Sequence, residues 1–265
     1  MTSLSTGFVE STDGTRIAFE VGGQGPALAL VAGALGYKAF PYLQKFAAEF
    51  AKQFRVFAYD RRGRGDSGDT HPYSVDKEID DLVAVCQAAG GRPIVLGISS
   101  GAALALEAAA LGAPMSRLVA FEAPYMVGSH RRPEHARYET EISNLIARDE
   151  RDAAVKLFMR TVGVPAFFVP IMRIMPFWKD FRRVAHTLPY DAAIMRGFEL
   201  PDARLSGIRV PTLVVGGGKS PTSLKAAVRA VAQAVPRAQF SEIPGQSHAI
   251  KASALAPVVR KFVEA

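Results

Sequence analysis

The sequence predicts an α/β fold in which a mostly parallel, eight-stranded β-sheet is flanked by helices and carries an inserted helical segment. Strand-like apolar runs alternate with amphipathic stretches of helical length up to residue 125, and the alternation resumes at residue 210. Residues 126–209 contain helical stretches interrupted by prolines and no convincing pair of strands. Strands that alternate with helices of this length are typical of a parallel sheet with helices on both faces.

The individual elements follow from local patterns. Two antiparallel strands are expected at residues 8–10 and 16–21, because Asp13-Gly14 between them favours the positive φ angles of a tight hairpin turn. The continuously apolar residues 27–31 are expected to form a strand covered on both faces. The remaining strands are predicted at 55–59, 93–96, 118–121, 212–215 and 238–243, and the core helices at 40–50, 75–89, from 100 onwards, 224–235 and 255–263. We expect residues 1–125 and 210–265 to form the core domain, and 126–209 to form a helical cap.

The composition is that of a globular protein with one main core. The chain has 265 residues, of which 49% are apolar, enough for a large core and an inserted subdomain. The single cysteine, Cys86, excludes an intramolecular disulfide. No apolar stretch reaches the ~20 residues needed to span a bilayer, and residues 1–14 lack the apolar part of a signal peptide. We therefore expect a cytoplasmic monomer or homodimer with no membrane partner.

A net charge of +7 raises the question of nucleic-acid binding. The most basic run is Arg61-Arg62-Gly63-Arg64-Gly65, but Asp60, Asp66 and Asp69 flank it and it contains no aromatic residue for base stacking. We expect a solvated loop shaped by its glycines, and no nucleic-acid partner.

A serine stands where a predicted strand meets a predicted helix, in Gly97-Ile98-Ser99-Ser100-Gly101. A nucleophilic serine needs such a place, because its hydroxyl must stand exposed on a sharp strand-to-helix turn. Gly97 and Gly101 leave room for that turn. Ser99 is therefore the candidate nucleophile, whereas Ser100 does not occupy the central position between the glycines.

With its elements in this order, the chain resembles the α/β-hydrolase superfamily over essentially its whole length, in particular the branch with a serine nucleophile and a helical cap. The resemblance is carried by residues 30–36 (LVAGALG), 59–67 (YDRRGRGDS), 97–101 (GISSG) and 244–248 (PGQSH). It implies that Ser99 is the nucleophile and His248 the base. It also implies an oxyanion hole formed by the backbone amides of Ala34 and Ser100, although Ala32 stands where family members often carry histidine.

The acid that usually completes such a site is missing from its usual position after the seventh strand, where this chain has Ser220. Glu122 directly follows the sixth strand, and the carboxyl ends of parallel strands share one edge of a sheet. Some branches of the superfamily, including certain haloalkane dehalogenases and fungal lactone hydrolases, place their acid there. We therefore predict that Glu122 orients His248. Asp60 is expected to organise the loop that follows it, and Glu107 lies too far along its helix.

The predicted cap is rich in aromatic and flexible apolar residues, which favours an apolar or aromatic neutral substrate. Phe167, Trp178 and His186 are the cap residues assigned to substrate binding. The other histidines, His71, His130 and His135, lie in polar stretches and are expected at the surface. No cluster has metal-ligand spacing and no phosphate-binding loop is present, so neither a metal nor another cofactor is expected.

These observations predict a hydrolase that cleaves an ester or lactone bond through a Ser-His-Glu triad and an acyl-enzyme. Haloalkane dehalogenases and epoxide hydrolases are disfavoured, because they use aspartate as the nucleophile. Two alternatives stay open. One is a C–C bond hydrolase or a cofactor-independent tailoring enzyme of natural products, and the other is a non-catalytic protein of the same fold that binds a small ligand.

Overall fold

The computed structural model describes residues 5–128 and 133–265 and confirms the predicted fold class. The strands are β1 Ser5–Glu10, β2 Arg16–Gly22, β3 Ala27–Val31, β4 Arg55–Tyr59, β5 Ile94–Ile98, β6 Arg117–Phe121, β7 Thr212–Gly217 and β8 Gln239–Ile243. They form one eight-stranded sheet in the order β1-β2-β4-β3-β5-β6-β7-β8. The β1–β2 and β2–β4 pairs are antiparallel, and the pairs from β4–β3 through β7–β8 are parallel.

Helices cover both faces of this sheet. The core helices are α1 Pro41–Phe50, α2 Val75–Ala88, α3 Ser100–Ala110, α10 Thr222–Ala234 and α11 Ala252–Glu264. One apolar cluster joins the sheet to α1 and α11, and a second, larger cluster joins its other face to α2, α3 and α10. Within residues 5–128 and 133–265, no helix is both long and apolar enough to cross a membrane.

The described part of the segment between β6 and β7 consists of helices joined by turns and loops, with no strand. It contains α4 Pro133–Ala147, α5 Arg151–Thr161, α6 Val169–Arg173, α7 Phe177–Val184, α8 Leu188–Met195 and α9 Asp202–Leu205. Buried residues of this segment, such as Tyr138 and Trp178, belong to the same apolar cluster as Leu104 of α3. The division of the chain at residues 126 and 209 stays a prediction.

The register of the parallel strands brings the ends of β5 and β6 side by side. Ile98 pairs with Phe121, and Phe121 pairs with Val215 of β7. Ser99 and Glu122 are the next residues along their chains, so they start from neighbouring positions at one edge of the sheet. This edge is where ligands bind in open α/β sheets.

Strand β7 is longer than the sequence pattern predicts, because it continues through Gly216 and Gly217. Those glycines pair with Glu242 and Ile243 of β8. Glycine has a low intrinsic preference for strands, so the sequence pattern ended the strand at Val215. Pairing with a neighbouring strand outweighs that local preference.

The prediction of a solvated loop at residues 61–65 is wrong. Arg61 and Arg62 are 0% exposed and Arg64 is 1% exposed. Each guanidinium is paired with carboxylates from other elements: Arg62 donates two hydrogen bonds of 2.7 Å to Asp81, and Arg64 donates one of 2.7 Å to Asp191. Buried charges persist only when they are paired in this way, and these partners are remote in sequence. The three guanidinium groups offer no surface to a nucleic acid.

Candidate active site

Ser99 stands on a strained turn between β5 and α3. Its backbone has φ 58° and ψ −126°, a conformation that non-glycine residues rarely adopt. The neighbouring backbones approach so closely that a Cβ atom at Gly97 would lie 2.5 Å from the Ala102 Cα, and one at Gly101 would lie 2.4 Å from the Val31 oxygen. Side chains at these two positions would therefore displace backbone atoms. The structure has the strand, sharp turn and helix that the sequence pattern indicates.

His248 lies between Ser99 and Glu122 and is hydrogen-bonded to both. Its Nε2 is 3.2 Å from the Ser99 Oγ, and its Nδ1 is 2.8 Å from the Glu122 Oε2. The histidine lies in the loop after β8, and 42% of its side chain is exposed, whereas Glu122 is fully buried. A carboxylate at Nδ1 favours the tautomer with its proton on that nitrogen, so Nε2 is free to accept a proton from the serine hydroxyl.

Two further donors hold the carboxylate of Glu122. Its Oε1 accepts hydrogen bonds from the Gly217 amide at 2.7 Å and from the Ser220 hydroxyl at 2.6 Å. Ser220, which occupies the position where family members usually carry the acid, therefore contacts the carboxylate of Glu122, the residue that follows the neighbouring strand β6. Sequence reasoning missed this supporting contact, although the small residues Gly216-Gly217-Gly218 beside Ser220 were a signal that another group occupies this space.

The other carboxylates considered from the sequence are engaged elsewhere. Asp60 accepts hydrogen bonds from the Lys38 amide at 2.6 Å and from the Asp66 amide at 2.9 Å, so it organises the adjoining loop as expected. Glu107 forms an ion pair with Arg204 at 2.7 Å. Neither is the carboxylate that contacts His248.

The two residues assigned to the oxyanion hole flank Ser99. Ala34 lines the same cavity as Ser99 and His248. The loop before it approaches the serine closely, because a Cβ atom at Gly33 would lie 3.0 Å from the Ser99 Cβ. Ser100 is the first residue of α3, so its amide is one of the N-terminal N–H groups that have no acceptor within the helix. The Ser100 side chain is buried and donates to Asp191 at 2.7 Å, which sets it apart from the candidate nucleophile Ser99.

An apolar cavity of about 300 Å³ opens beside Ser99. Its walls are formed on one side by Leu35, Phe40, Leu43 and Ile98, and on the side of the segment between β6 and β7 by Phe158, Val162 and Phe181. Among the described residues that line it, none is Asp, Glu, Lys or Arg. Such a lining suits an uncharged, apolar group.

The structure places the three cap residues expected at the substrate outside this lining. Phe167 is 70% exposed. Trp178 is 4% exposed and its Nε1 donates to Asp152 of α5 at 2.8 Å, so it packs within the helical segment between β6 and β7. The Nε2 of His186 lies 3.6 Å from the Asp69 Oδ2, and burial lowers the pKa of this histidine. Composition identified the segment between β6 and β7 as rich in apolar residues, but only the orientation of α5 and α7 selects which of its side chains reach the cavity.

Two of the remaining histidines can be compared with the expectation of surface positions. The side chain of His71 is 69% exposed, as expected. His135 is only 8% exposed and its ring lies 5.4 Å from that of Phe198, so the expectation was wrong there. His135 lies on a buried part of α4. The polar residues around it in the sequence do not reveal that this position is packed against other elements. His130 lies outside the described residues. No group of three or more possible metal ligands occurs in residues 5–128 and 133–265.

Comparison with known proteins identifies the family of this chain. A model of the alpha/beta hydrolase family matches residues 28–259, and the chain belongs to that family. It is similar to an alpha/beta hydrolase from Sphaerobacter thermophilus DSM 20745, with 45% identity, a TM-score of 0.90, and coverage of 97% of this chain and 100% of the other.

More distant structures share the fold. An esterase, RhEst1, from Rhodococcus sp. ECU1013 has 22% identity and a TM-score of 0.73, with coverage of 98% of this chain and 99% of the other. An enol-lactonase from Burkholderia xenovorans LB400 has 22% identity and a TM-score of 0.68, with coverage of 98% and 100%. No curated protein sequence matches the chain.

Proposed function

We propose that the protein is a serine hydrolase that cleaves the ester or lactone bond of a small, neutral, apolar substrate. The observation that carries this proposal is the position of His248, which is hydrogen-bonded at once to the Ser99 Oγ and the Glu122 Oε2 beside an apolar cavity. A nucleophile, a base and a group that orients the base are thus within reach of one another, as nucleophilic catalysis requires.

In the first half of the proposed reaction, the Ser99 Oγ attacks the carbonyl carbon while His248 Nε2 takes the hydroxyl proton. Glu122 stabilises the imidazolium that forms. The carbonyl oxygen becomes negatively charged and accepts hydrogen bonds from the amides of Ala34 and Ser100, the second of which also benefits from the dipole of α3. The intermediate collapses to an acyl-enzyme, and the departing alkoxide takes the proton from His248.

In the second half, water hydrolyses the acyl-enzyme. His248 removes a proton from the water as its oxygen attacks the ester carbon on Ser99, and the same two amides stabilise the second oxyanion. When the intermediate collapses, the bond to the Ser99 oxygen breaks and His248 returns the proton to it. The enzyme is regenerated with no external cofactor.

The cavity favours a small, neutral, apolar substrate. It can hold a short acyl chain or a single aromatic ring, and its lining offers no cation for a carboxylate or phosphate on the substrate. The esterase and the enol-lactonase with the same fold support ester and lactone bonds as the candidates for cleavage. We propose that α5 and α7 act as part of a cap, because Phe158, Val162 and Phe181 close the cavity over Ser99.

The direct test is hydrolysis of p-nitrophenyl acetate, butyrate and benzoate by the wild type, by Ser99→Ala and by Ser206→Ala. Ser206 is an exposed serine remote from the cavity, so its variant is the matched control. We expect Ser99→Ala to lower kcat by about 10⁴-fold or more and Ser206→Ala to leave it unchanged. A fluorophosphonate should label the wild type and Ser206→Ala, which keep Ser99, and should not label Ser99→Ala.

The proposal fails if Ser99→Ala keeps the wild-type rate, since another group would then be the nucleophile. A wild-type protein that binds apolar esters but hydrolyses none of them, and is not labelled by the fluorophosphonate, would instead be a ligand-binding protein.

A further inference from the structure

Arg64 contacts the peptide unit that supplies one of the proposed oxyanion donors. Its Nη1 donates to the Gly33 carbonyl at 2.8 Å and to the Gly36 carbonyl at 3.3 Å. The Gly33 carbonyl and the Ala34 N–H belong to one planar, trans peptide unit, in which they point in opposite directions. Holding the carbonyl on the side of Arg64 therefore fixes the direction in which the Ala34 N–H points.

Asp191, on α8, in turn holds Arg64. Its Oδ2 accepts a hydrogen bond of 2.7 Å from Arg64 Nη2, while its Oδ1 accepts one of 2.8 Å from Arg61 Nη1 and one of 2.7 Å from the Ser100 hydroxyl. Arg61 in its turn donates to the Ala32 carbonyl at 3.3 Å. One carboxylate thus contacts Ser100, on one side of the proposed oxyanion hole, and the arginines that hold the loop of Ala34 on the other side.

The charges of this cluster depend on one another. Burial opposes the ionisation of Asp191, yet the charges of Arg64 and Arg61 hold the pKa of its carboxyl below the ordinary value. Burial and the charge of Arg61 lower the pKa of Arg64. Without a negative charge at residue 191, two buried guanidinium groups would face each other with less compensation, and the geometry of both would change.

We propose that Arg64 and Asp191 are positioning residues that orient the two backbone donors of the oxyanion hole. This inference rests on the proposed function. Neither residue is part of the cavity lining, so Arg64 acts through the Gly33–Ala34 peptide unit, and Asp191 acts through the two arginines and the Ser100 side chain that it contacts. Asp191, on α8, would thereby affect how strongly the oxyanion hole stabilises the transition state, although it does not contact the substrate.

The variants for the test are Asp191→Asn, Arg64→Lys and, as a matched control, Asp69→Asn. Asp191→Asn keeps the shape of the side chain and removes its charge. Arg64→Lys keeps the charge but replaces the planar fork by one ammonium, which cannot bridge two carbonyls and a carboxylate in the same geometry. Asp69 accepts hydrogen bonds from the Tyr190 hydroxyl at 2.9 and 3.1 Å, so its variant removes a negative charge where the same loop meets the same helix. The amide oxygen can still accept from Tyr190, and no contact with residues 32–36 is changed.

Two inhibitors separate a positioning role from a structural one. An alkyl trifluoromethyl ketone reacts with the Ser99 hydroxyl: a bond forms between Oγ and the carbonyl carbon, the carbonyl π-electrons become an alkoxide, and the proton passes to His248. The matched methyl ketone binds as a ground-state ligand without adding. Only the first places an oxyanion against the amides of Ala34 and Ser100, so only its affinity reports on the hole.

We expect Asp191→Asn and Arg64→Lys to lower kcat by about 10²-fold, near the loss seen when one oxyanion donor is removed. The inhibition constant of the trifluoromethyl ketone should rise by about the same factor. The inhibition constant of the methyl ketone should stay within about threefold of the wild type, because ground-state binding does not use the hole. Asp69→Asn should keep the wild-type values of all three quantities.

The inference is overturned if Asp191→Asn and Arg64→Lys match Asp69→Asn in kcat and in the affinity for both ketones, or if they weaken both ketones equally. If Asp191→Asn does not fold, Arg64→Lys decides the question by the same two ratios. A wild type that hydrolyses no ester and forms no adduct with the trifluoromethyl ketone overturns the proposed function instead, which keeps the two failures distinct.

Discussion

Replacement of Glu122 by glutamine tests the proposed acid most directly, because the structure fixes which way the new amide must point. The Oε1 of Glu122 accepts from the Gly217 N–H at 2.7 Å and the Ser220 hydroxyl at 2.6 Å, and its Oε2 contacts His248 Nδ1 at 2.8 Å. A backbone N–H cannot become an acceptor, so the glutamine oxygen must stay towards Gly217. Its NH₂ group then faces His248 Nδ1, which must accept from it.

That arrangement forces the wrong tautomer on the histidine. With Nδ1 as an acceptor, the imidazole proton sits on Nε2, which faces the Ser99 Oγ and can no longer take its proton. The same exchange of carboxylate for amide in a serine protease triad costs about 10⁴ in kcat through this change of tautomer. We expect a loss of that size here, equal to about 5.5 kcal/mol in the activation free energy.

The assay is the kcat for p-nitrophenyl butyrate at neutral pH, with the melting temperature measured alongside to show that Glu122→Gln is folded. The matched control is Ser220→Ala, which removes one donor from Oε1 but leaves the Gly217 N–H, the carboxylate charge and the histidine tautomer in place. We expect this control to lose less than about tenfold, since only one hydrogen bond to the carboxylate is removed.

Rates for Glu122→Gln within tenfold of the wild type, together with an inactive Ser99→Ala, would refute the reasoning. They would mean that another group orients His248, or that the tautomer does not limit the reaction.

Two further predictions concern buried groups outside the site. Arg62→Ala should lower the free energy of unfolding by about 3–5 kcal/mol, because it leaves the carboxylate of Asp81 buried without its charge partner. Urea unfolding measures this free energy. A loss below about 1 kcal/mol would contradict the buried pairing. Burial raises the pKa of the Cys86 thiol to about 12, so at pH 8 the native protein should not react with a chromogenic disulfide reagent within minutes, whereas the urea-unfolded chain should react fully. Rapid labelling of the native protein would show that this part of α2 is not packed as described.

Patterns that depend on neighbours in the sequence were sufficient for the fold and for much of the candidate site. The alternation of strands and helices predicts the sheet, and a serine between two glycines at a strand end predicts the strained turn of Ser99. Strand ends of a parallel sheet share one edge, so Glu122, directly after β6, could be selected once Ser220 was seen in the place of the usual acid. The structure brings these residues within hydrogen-bonding distance, and their catalytic roles stay a proposal.

The sequence by itself determined the order of the strands and helices and which reactive side chains follow the strands, because both depend on residues adjacent in the chain. Only the tertiary structure decided that Arg61, Arg62 and Arg64 are buried, and that Phe158 and Phe181 rather than Phe167 face the cavity. A charged side chain can be buried only if the fold brings an oppositely charged group to it. For Arg64 that group is the carboxylate of Asp191, which lies 127 residues further along the chain. The face that α5 or α7 presents to the site depends in the same way on how helices pack, which the polarity of a short segment does not specify.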